Sequence, residues 1–584
     1  MINIREKISG LIKNSFDQEK FASLDFSVEH PKVLEYGDYS SNIALVLAKK
    51  IEGETGKKVN PTDLANILVA KMRESLPVEV SNITVAGPGF INFHLSPDFF
   101  QQSINLILEF GQNFGKNKKL KDQTIFIEYT DPNPLKQFHI GHLMSNAIGE
   151  VFSRLYKWNG ATVINACYQG DVGLHIAKTI WGMMEMGEDI PKETDELNKK
   201  TTFLGQAYVL GSKKYEEDEF AQKEIVEINK RVYENLDASK TTSPQIDELY
   251  QFAKKWSLQH FEEIYEKLGT SFQHYIMESS VVDLGMDLVK KNIGKVFEES
   301  EGAIVYKGEK VGLHTRVFIN QNGLPTYETK DLGNALLKER LEKFDKSIIV
   351  TAEEQKQYFK VLFAALSEIY PKIAAKTEHI SHGMMQFAEG KMSSRKGNVI
   401  TGESLLEEIE NKVAEKMKDK EIPAEERNKI VTDVAVAAIK YSILKQSPGK
   451  NIIFDREAAV SFEGDSGPYL QYTYTRAKSV IGKSREAKKI PNPKKIPAGW
   501  QTSKLEKILY QFPEIVEQAL EEKAPNYLVT YAINLASEFN SYYGQNKILD
   551  DSEEEGYKLA LVDAVMIVMK NCLTVIGIRL PEQM

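Results

Sequence analysis

The sequence contains almost no cysteine: Cys167 and Cys572 are the two cysteines among 584 residues, far apart and in apolar contexts. Such usage excludes a disulfide framework and a cysteine zinc site, and it is typical of a reducing compartment. There is also no apolar run of the roughly 20 residues that a membrane helix requires. Residues 1–7 lack the apolar stretch of a signal peptide. We therefore predict a cytoplasmic protein with no membrane partner and no structural zinc.

An excess of positive charge is lacking as well, because the formal net charge is -9. Net charge is a weak guide to nucleic-acid binding, since phosphate contacts require only a local basic surface. Two lysine-rich stretches, 115–122 and 483–495, are basic enough for such a surface. Taken alone, each stretch is more typical of a solvated linker.

The spacing of apolar residues divides the chain into three parts. Residues 1–115 combine helical periodicity with strand-like runs, which predicts an α+β module. Residues 121–425 alternate strands with crossover helices, which predicts a Rossmann-like parallel sheet that binds ligands at the carboxyl ends of its strands. A charged segment at about 185–270 indicates a helical insertion, and residues 426–584 are predicted to be all helical. The expected fold is multidomain α/β.

The tetrapeptide His139-Ile140-Gly141-His142 lies between a turn that follows a predicted strand and the start of a helix. Imidazoles three residues apart share one helix face, and Gly141 allows a flat ring to approach the backbone. A helix N-terminus also offers free N–H groups and a positive dipole to phosphates. The pattern indicates a phosphate site. A zinc pair or two incidental helix histidines are the alternatives, but further zinc ligands at suitable spacing are missing.

Residues 390–398 form a second candidate element, a glycine-bounded loop with two lysines, an arginine and two hydroxyls. Such a loop is suited to binding a pyrophosphate leaving group, because it stabilises charge that develops during nucleotidyl transfer. A Walker loop is absent. The alternative for the loop alone is a solvated basic segment. Its candidate ATP-binding residues are Lys391, Ser393, Ser394 and Lys396.

Together, in this order, the two elements closely resemble the H-I-G-H and K-M-S-K-S signatures of class I aminoacyl-tRNA synthetases. Ser394 stands where the class has its second lysine. Arginyl enzymes often lack that lysine, and a lysine just before H-I-G-H is thought to take its place, a pattern that Lys136 matches. The resemblance implies ATP binding by His139, Gly141 and His142 besides the loop residues, and catalytic roles for His139, His142, Lys136 and Lys391.

A resemblance to arginyl-tRNA synthetases extends over nearly the whole chain. It is carried by segments 128–136, 170–173, 326–332, 465–472 and 580–584. It implies arginine and tRNA(Arg) as partners, ATP carrying Mg²⁺, and a monomeric enzyme. The residues that it assigns to arginine are Glu128, Asn133, Glu278, Tyr327, Asp331 and Gln355. The residues that it assigns to tRNA are Phe90, Asn92, Tyr469, Gln471, Tyr472, Arg476 and Met584.

The chemistry of the candidate pocket agrees with arginine, because a planar, permanently charged guanidinium is best held by carboxylates in a fork. The alternative for Asp331 is a helix N-terminal cap, and for Glu278 a solvated loop acid. Another class I synthetase, such as a cysteinyl or glutamyl enzyme, lacks support here, because a zinc thiolate site is missing and the pocket is acidic. An inactive tRNA-binding paralogue and a small-molecule nucleotidyltransferase are the remaining alternatives.

Overall fold

The protein is described by a computed structural model that covers residues 3–17, 24–31, 33–236, 243–388, 400–420, 423–494 and 496–584. The chain divides into two compact units. The first comprises Met1–Phe114, Thr473–Glu514 and Asn534–Asn571, and the second comprises Gly115–Tyr472, Ile515–Ile533 and Cys572–Met584. The predicted pyrophosphate loop, with Lys391, Ser393, Ser394 and Lys396, lies outside the described residues.

The N-terminal part of the first unit is the predicted α+β module. Its helices are α1 (Ile4–Asn14), α2 (Ile43–Thr55), α3 (Pro61–Arg73) and α4 (Pro97–Phe110). Its strands are β1 (Val28–Glu29), β2 (Tyr39–Ser41), β3 (Val80–Ala86) and β4 (Phe90–Leu95). The strands form an antiparallel sheet in the order β1-β2-β4-β3. The core between sheet and helices also includes Tyr510 from the C-terminal part of the chain.

The second unit contains the predicted parallel sheet. Its strands are β5 (Thr124–Glu128), β6 (Thr162–Gln169), β7 (His274–Met277), β11 (Lys346–Ala352) and β12 (Thr377–His382). Every pairing in the order β12-β11-β5-β6-β7 is parallel. Ile125, Phe126 and Ile127 of the central strand are fully buried, as expected for a sheet covered on both faces. The predicted Rossmann-like fold is confirmed.

The helices of the second unit up to residue 416 include the crossover helices and the insertion. They are α5 (Ile140–Trp158), α6 (Leu174–Met186), α7 (Leu197–Glu217), α8 (Glu219–Glu234), α9 (Pro244–Leu268), α10 (Val282–Lys291), α11 (Tyr327–Leu341), α12 (Lys356–Ile369), α13 (Pro371–Lys376) and α14 (Gly402–Lys416). Helices α7, α8 and α9 make up the insertion and share an apolar core with α6 that contains Trp181 and Trp256. The insertion is therefore helical, as its charged and periodic sequence predicts.

The helix that carries Tyr327 and Asp331 follows a strand outside the parallel sheet. That strand, β10 (Arg316–Ile319), belongs to a separate antiparallel sheet with β8 (Glu298–Ser300) and β9 (Ala303–Tyr306). Helix α11 begins at Tyr327, and the Thr329 hydroxyl and the Thr326 backbone N–H both donate to the carbonyl of Phe318. Asp331 thus lies in the second turn of the helix and is not an N-terminal cap.

The C-terminal part of the chain is helical, as predicted. Its helices are α15 (Ala424–Leu444), α16 (Arg456–Ala459), α17 (Gly467–Glu486), α18 (Lys504–Leu509), α19 (Phe512–Glu521), α20 (Asn526–Gln545) and α21 (Glu555–Val575). A short strand that the periodicity did not indicate, β14 (Ile452–Phe454), pairs in parallel with β13 (Met385–Phe387). None of the helices within the described ranges is long and apolar enough to span a membrane. The boundaries of the three predicted domains stay predictions.

Candidate active site

A cavity of about 570 Å³ lies at the carboxyl ends of the parallel strands, where this kind of sheet binds ligands. It is lined by every residue that the sequence assigned to arginine and by three residues of the H-I-G-H motif: Glu128, Asn133, Glu278, Tyr327, Asp331, Gln355, His139, Gly141 and His142. Lys136 is not among the lining residues; its Nζ lies 5.2 Å from the ring centroid of Tyr208 on α7. The topology thus collects residues that are far apart in the sequence.

The two histidines of the motif stack on each other at the start of α5. Their ring centroids are 3.5 Å apart with an interplanar angle of 22°. The backbone N–H of His139 donates to Nδ1 of His142 at 3.2 Å. A Cβ at Gly141 would lie 2.9 Å from Cε1 of His139, so glycine is required for the stack. Because Nδ1 of His142 accepts a hydrogen bond, its proton is on Nε2, which can donate to a ligand.

Both histidines are neutral at physiological pH. The pKa of His139 is lowered to about 4 by desolvation within the cavity walls and, to a lesser extent, by the nearby Lys136 and His382. Burial lowers the pKa of His142 well below its usual range, and the neighbouring His139, Lys136 and His382 lower it further. Neutral imidazoles with a free N–H are hydrogen-bond donors that carry no fixed charge. This arrangement suits contacts to a phosphate whose negative charge grows during a reaction.

The loop between β5 and α5 is held in an unusual conformation. Thr130, Asp131 and Leu135 adopt positive φ angles of 80°, 49° and 63°, which cost about 1–3 kcal/mol each for non-glycine residues. The Thr130 backbone N–H donates to the Ser145 hydroxyl at 2.9 Å, and that of Leu135 donates to the Ser257 hydroxyl at 2.9 Å. Strain of this kind persists where surrounding contacts enforce it, and it is typical of active sites.

Asn133, in the middle of this loop, is fixed against the turn that follows β6. Its Oδ1 accepts the backbone N–H of Gly170 at 3.1 Å. A Cβ at Gly170 would lie 2.4 Å from Oδ1 of Asn133 and 3.3 Å from Cδ of Glu278. Only glycine allows the backbone to pass between these two side chains. Asn133 and Glu278 therefore face one another across Gly170 on the cavity wall.

Asp331 is one of the cavity carboxylates that have no cationic partner within the described residues. The Tyr358 hydroxyl donates to its Oδ2, and within the described residues it has no ion pair. Its pKa is raised to about 7, chiefly by burial and secondarily by the charges of Glu128 and Glu278, although the Tyr358 hydrogen bond acts in the opposite direction. A cation that binds in the site thus stabilises the ionised form of the Asp331 carboxyl group.

Two other carboxylates of the cavity already have cationic partners. Glu278 pairs with the buried Lys330, whose Nζ also lies 4.4 Å from the ring centroid of Tyr327. Glu278 is only 5% exposed, and is therefore not a solvated loop acid. Glu128 accepts hydrogen bonds from Nδ2 of Asn334 at 2.8 Å and from Nζ of Lys338 at 3.1 Å.

The pKa of Asp331 predicts how arginine binding depends on pH. Below about pH 7 the free protein holds a proton on Asp331, and a cationic ligand has to displace that proton. We therefore expect the affinity for arginine to rise about tenfold between pH 6 and pH 8. Calorimetric titrations with arginine across this range, in buffers of different ionisation enthalpy, measure both the affinity and the released proton. A flat profile would contradict the assignment, and Asp331→Asn is expected to flatten it.

Several residues of the cavity were not predicted from the sequence. Arg316 pairs with Glu328 at 3.2 Å and lies 5.4 Å above the Tyr358 ring. His382, the last residue of β12, donates from Nδ1 to the Gly383 carbonyl at 2.8 Å. Its position at a strand end, where the other site residues cluster, was the available signal. For Lys330, which lies in α11 and pairs with Glu278, the available signal was its position next to Asp331 in the sequence.

Asp171 lies in segment 170–173, which carries part of the resemblance, but the sequence analysis assigns no role to this residue. It is fully buried and accepts hydrogen bonds from the Ser279 backbone N–H at 2.8 Å and from Nζ of Lys254 on α9 at 2.6 Å. The Tyr250 hydroxyl of α9 also donates to it at 2.9 Å. Because Ser279 follows Glu278, Asp171 joins the insertion helix to the loop that carries the cavity's glutamate.

We expect Lys254→Met to raise the KM for arginine about tenfold, because it removes a charge-assisted bond to a buried carboxylate and loosens the loop at Ser279. The matched control is Lys255→Met, whose lysine pairs with Glu193 at the surface of the same helix and is expected to leave that KM unchanged. Steady-state charging kinetics with arginine and with ATP varied separately distinguish the two variants. Equal arginine KM values would contradict the role of Asp171.

The residues assigned to tRNA differ in exposure. In the first unit, Phe90 is 39% exposed and Asn92 only 3%, while Arg476 lies over Tyr543 at 5.4 Å. In the second unit, Tyr469, Tyr472 and Met584 are partly buried.

Gln471, which the resemblance assigns to tRNA, is fully buried. Its Nε2 donates to the carbonyls of Asp433 at 3.2 Å and Arg579 at 2.7 Å. Asn92 is buried within the sheet of the first unit. The assignment of both residues to tRNA stays a prediction.

The geometry above matches the class I aminoacyl-tRNA synthetases: a parallel sheet, an H-I-G-H motif at the start of its first crossover helix and a helical C-terminal region. A family model described as tRNA synthetases class I (R), catalytic domain, matches residues 103–456. Models of the DALR anticodon binding domain and of the arginyl tRNA synthetase N terminal domain match residues 470–584 and 3–95. The chain belongs to the arginine–tRNA ligase family of this class.

Individual relatives agree with this assignment. Arginine–tRNA ligase 2 of Bacillus anthracis is 30% identical over 582 residues, which cover 99% of each chain. The arginine–tRNA ligase of Halothermothrix orenii is 28% identical over 587 residues and covers 100% of both chains. The solved arginyl-tRNA synthetase of Thermus thermophilus has the same fold, with a TM-score of 0.75 at 22% identity and full coverage of both chains.

Proposed function

We propose that this chain activates arginine with ATP and transfers it to the terminal adenosine of tRNA(Arg). In the first step an oxygen of the arginine carboxylate attacks the α-phosphorus of ATP and the bond to the β-phosphate breaks, which yields arginyl-adenylate and pyrophosphate. In the second step the adenosine 2′-hydroxyl attacks the activated carbonyl, and AMP leaves. The observation that carries the proposal is the cavity that brings an unmatched carboxylate, Asp331, together with two neutral histidines.

At the arginine end, Asp331 and Glu278 are proposed to receive the guanidinium and Tyr327 to pack on it. The free oxygens of the two carboxylates form the fork that a planar five-donor group requires. Glu128, Asn133 and Gln355 are proposed to orient the α-amino group. A lysine ammonium carries its three donors on one atom and lacks the planar five-donor fork, and neutral citrulline lacks the positive charge that charge-assisted bonds to the carboxylates require.

At the phosphate end, His139 and His142 are proposed to donate hydrogen bonds to the α-phosphate as its charge develops, with Gly141 leaving space for the nucleotide. Lys136 and the predicted loop residues Lys391, Ser393, Ser394 and Lys396 are assigned to the β- and γ-phosphates. Catalysis then consists of positioning and electrostatic stabilisation, without a covalent nucleophile.

Magnesium is expected to enter with ATP. Within the described ranges, no group of three or more histidine, cysteine or acidic side chains is arranged to hold a metal ion, and Mg²⁺ bound to phosphates needs few protein ligands. The residues present therefore fit an ion that the nucleotide carries. When bound, it neutralises phosphate charge. The prediction that the protein has no structural zinc stays a prediction.

For tRNA, we propose that the helical C-terminal region binds the anticodon loop through Tyr469, Tyr472, Arg476 and Met584, because single-stranded bases stack on aromatic and guanidinium planes. The exposed Phe90 is the candidate contact of the N-terminal module. A monomeric state and a cytoplasmic location are part of the proposal.

The experiment that tests this function is tRNA charging with each of the twenty amino acids. Arginine is expected to give the only ATP-dependent signal. If another amino acid were charged instead, the assignment of the acidic cavity would fail while the class of enzyme would stand. No charging with any amino acid would favour the inactive tRNA-binding alternative.

A further inference from the structure

Tyr168 has a buried hydroxyl in the active-site cavity with no hydrogen-bond partner. The residue lies one position before the end of β6, lines the cavity and is 9% exposed. Within the part of the chain that the structure describes, its Oη binds no protein atom. Its backbone N–H, by contrast, donates to Oδ1 of Asp131 at 2.7 Å. The backbone of Tyr168 is therefore held by a hydrogen bond, whereas its hydroxyl has no hydrogen-bond partner within the described residues.

Buried polar groups without partners are rare in folded proteins, and each one calls for an explanation. Around the Tyr168 hydroxyl lie Asp331, Glu278, Tyr358 and Glu128, and burial together with these groups raises the pKa of the phenol well above its usual range. The hydroxyl is consequently neutral at all physiological pH values. It retains two acceptor lone pairs and one donor in a cavity rich in negative charge.

A guanidinium bound in this cavity brings several N–H groups that point in different directions. It carries five donors in a fixed fork, whereas Oδ2 of Asp331 is already bound by Tyr358 and Oε2 of Glu278 by Lys330. Within the described residues, the other oxygen of each carboxylate, Oδ1 of Asp331 and Oε1 of Glu278, accepts no hydrogen bond. A neutral acceptor beside them satisfies a further N–H and adds no charge that would have to be compensated.

We propose that Oη of Tyr168 accepts a hydrogen bond from the arginine guanidinium and thereby contributes to amino-acid specificity. This inference rests on the proposed function, since it assigns one more contact to the same substrate. A lysine side chain has its three donors on one nitrogen, so it matches acceptors spread over Asp331, Glu278 and Tyr168 less well than a planar guanidinium does. The Tyr168 hydroxyl, which has no partner within the described residues, thus gains a hydrogen bond when arginine binds.

The test is Tyr168→Phe in the full-length enzyme. We expect kcat/KM for arginine to fall about tenfold through a higher arginine KM, while the KM for ATP is unchanged. The urea midpoint of the free protein should be unchanged or higher, because the variant removes a hydroxyl that has no partner in the free state. If the Tyr168 hydroxyl had only a structural role, the variant would have a lower urea midpoint and a normal arginine KM. That result would overturn the proposal.

The matched control is Tyr306→Phe. Tyr306 is also buried, at 2% exposed against 9% for Tyr168, but its hydroxyl donates to Glu368 at 2.7 Å, outside the cavity. Its removal is expected to lower the urea midpoint and to leave the arginine KM as it is. The experiment distinguishes a failure of the proposed function from a failure of this inference. Absence of arginine charging by the wild-type chain would refute the proposed function. Normal charging by the wild type and an unchanged arginine KM in Tyr168→Phe would refute this inference alone.

Discussion

Asp331→Asn is expected to reduce kcat/KM for arginine by about 100-fold or more, with a change of less than about threefold in the KM for ATP. Within the described residues the carboxylate has no ion pair, whereas Glu128 and Glu278 pair with lysines, so its charge is available to the guanidinium. Asparagine keeps the shape of the side chain. If its amide oxygen accepts the hydrogen bond from the Tyr358 hydroxyl, its N–H₂ group faces the ligand. The bound guanidinium then meets a donor where it needs an acceptor.

The control for this prediction is Glu339→Gln on the same helix, α11, because Glu339 pairs with Lys343 away from the cavity. It removes the same charge and should leave both KM values near those of the wild type. Arginine-dependent and ATP-dependent charging rates decide the outcome. Equal losses in the use of arginine and ATP by Asp331→Asn would show that the substitution disturbs the whole site, and the assigned role would then be wrong.

His142→Ala is expected to lower kcat for charging by about 10²–10³-fold, the usual cost of removing one preorganised donor to a developing negative charge. The effect should fall mainly on kcat, because the hydrogen bond strengthens as the phosphate becomes five-coordinate. The arginine KM should change little. Single-turnover formation of the adenylate measures the step directly.

His260→Ala provides the comparison for this loss, since His260 is bound to Glu403 at 2.8 Å and does not line the cavity. Its kcat is expected to be within about twofold of the wild-type value. A decrease of less than fivefold in His142→Ala would contradict the role of the imidazole N–H. A normal arginine KM in that variant serves as the check that the cavity is still formed.

The parallel sheet could be predicted because strands buried on both faces are apolar throughout, as in Ile125-Phe126-Ile127. The membership of the site came from the resemblance to arginyl-tRNA synthetases, and the topology explains why these residues meet, since the carboxyl ends of parallel strands lie at one edge. Nine of the candidate residues line a single cavity although they are spread from Glu128 to Gln355. Their individual roles in catalysis and binding stay predictions until they are measured.

The pairing of charges inside the site could not be predicted from the sequence. Lys330 and Asp331 are neighbours in the chain, but adjacent residues on a helix point about 100° apart. Lys330 therefore reaches Glu278, while Asp331 meets Tyr358. The same limit applies to Gln471, because the sequence of α17 does not reveal which of its faces is turned inward.

The most direct test of the account is the ratio of charging efficiencies with arginine and with citrulline, which has nearly the same shape but is neutral and has an oxygen in place of one guanidinium nitrogen. If the acidic cavity recognises the guanidinium, the ratio of kcat/KM should be about 10³ or greater, because a buried site left unpaired discriminates strongly. That ratio should collapse in Asp331→Asn. Comparable charging of citrulline and arginine by the wild-type protein would contradict the central claim.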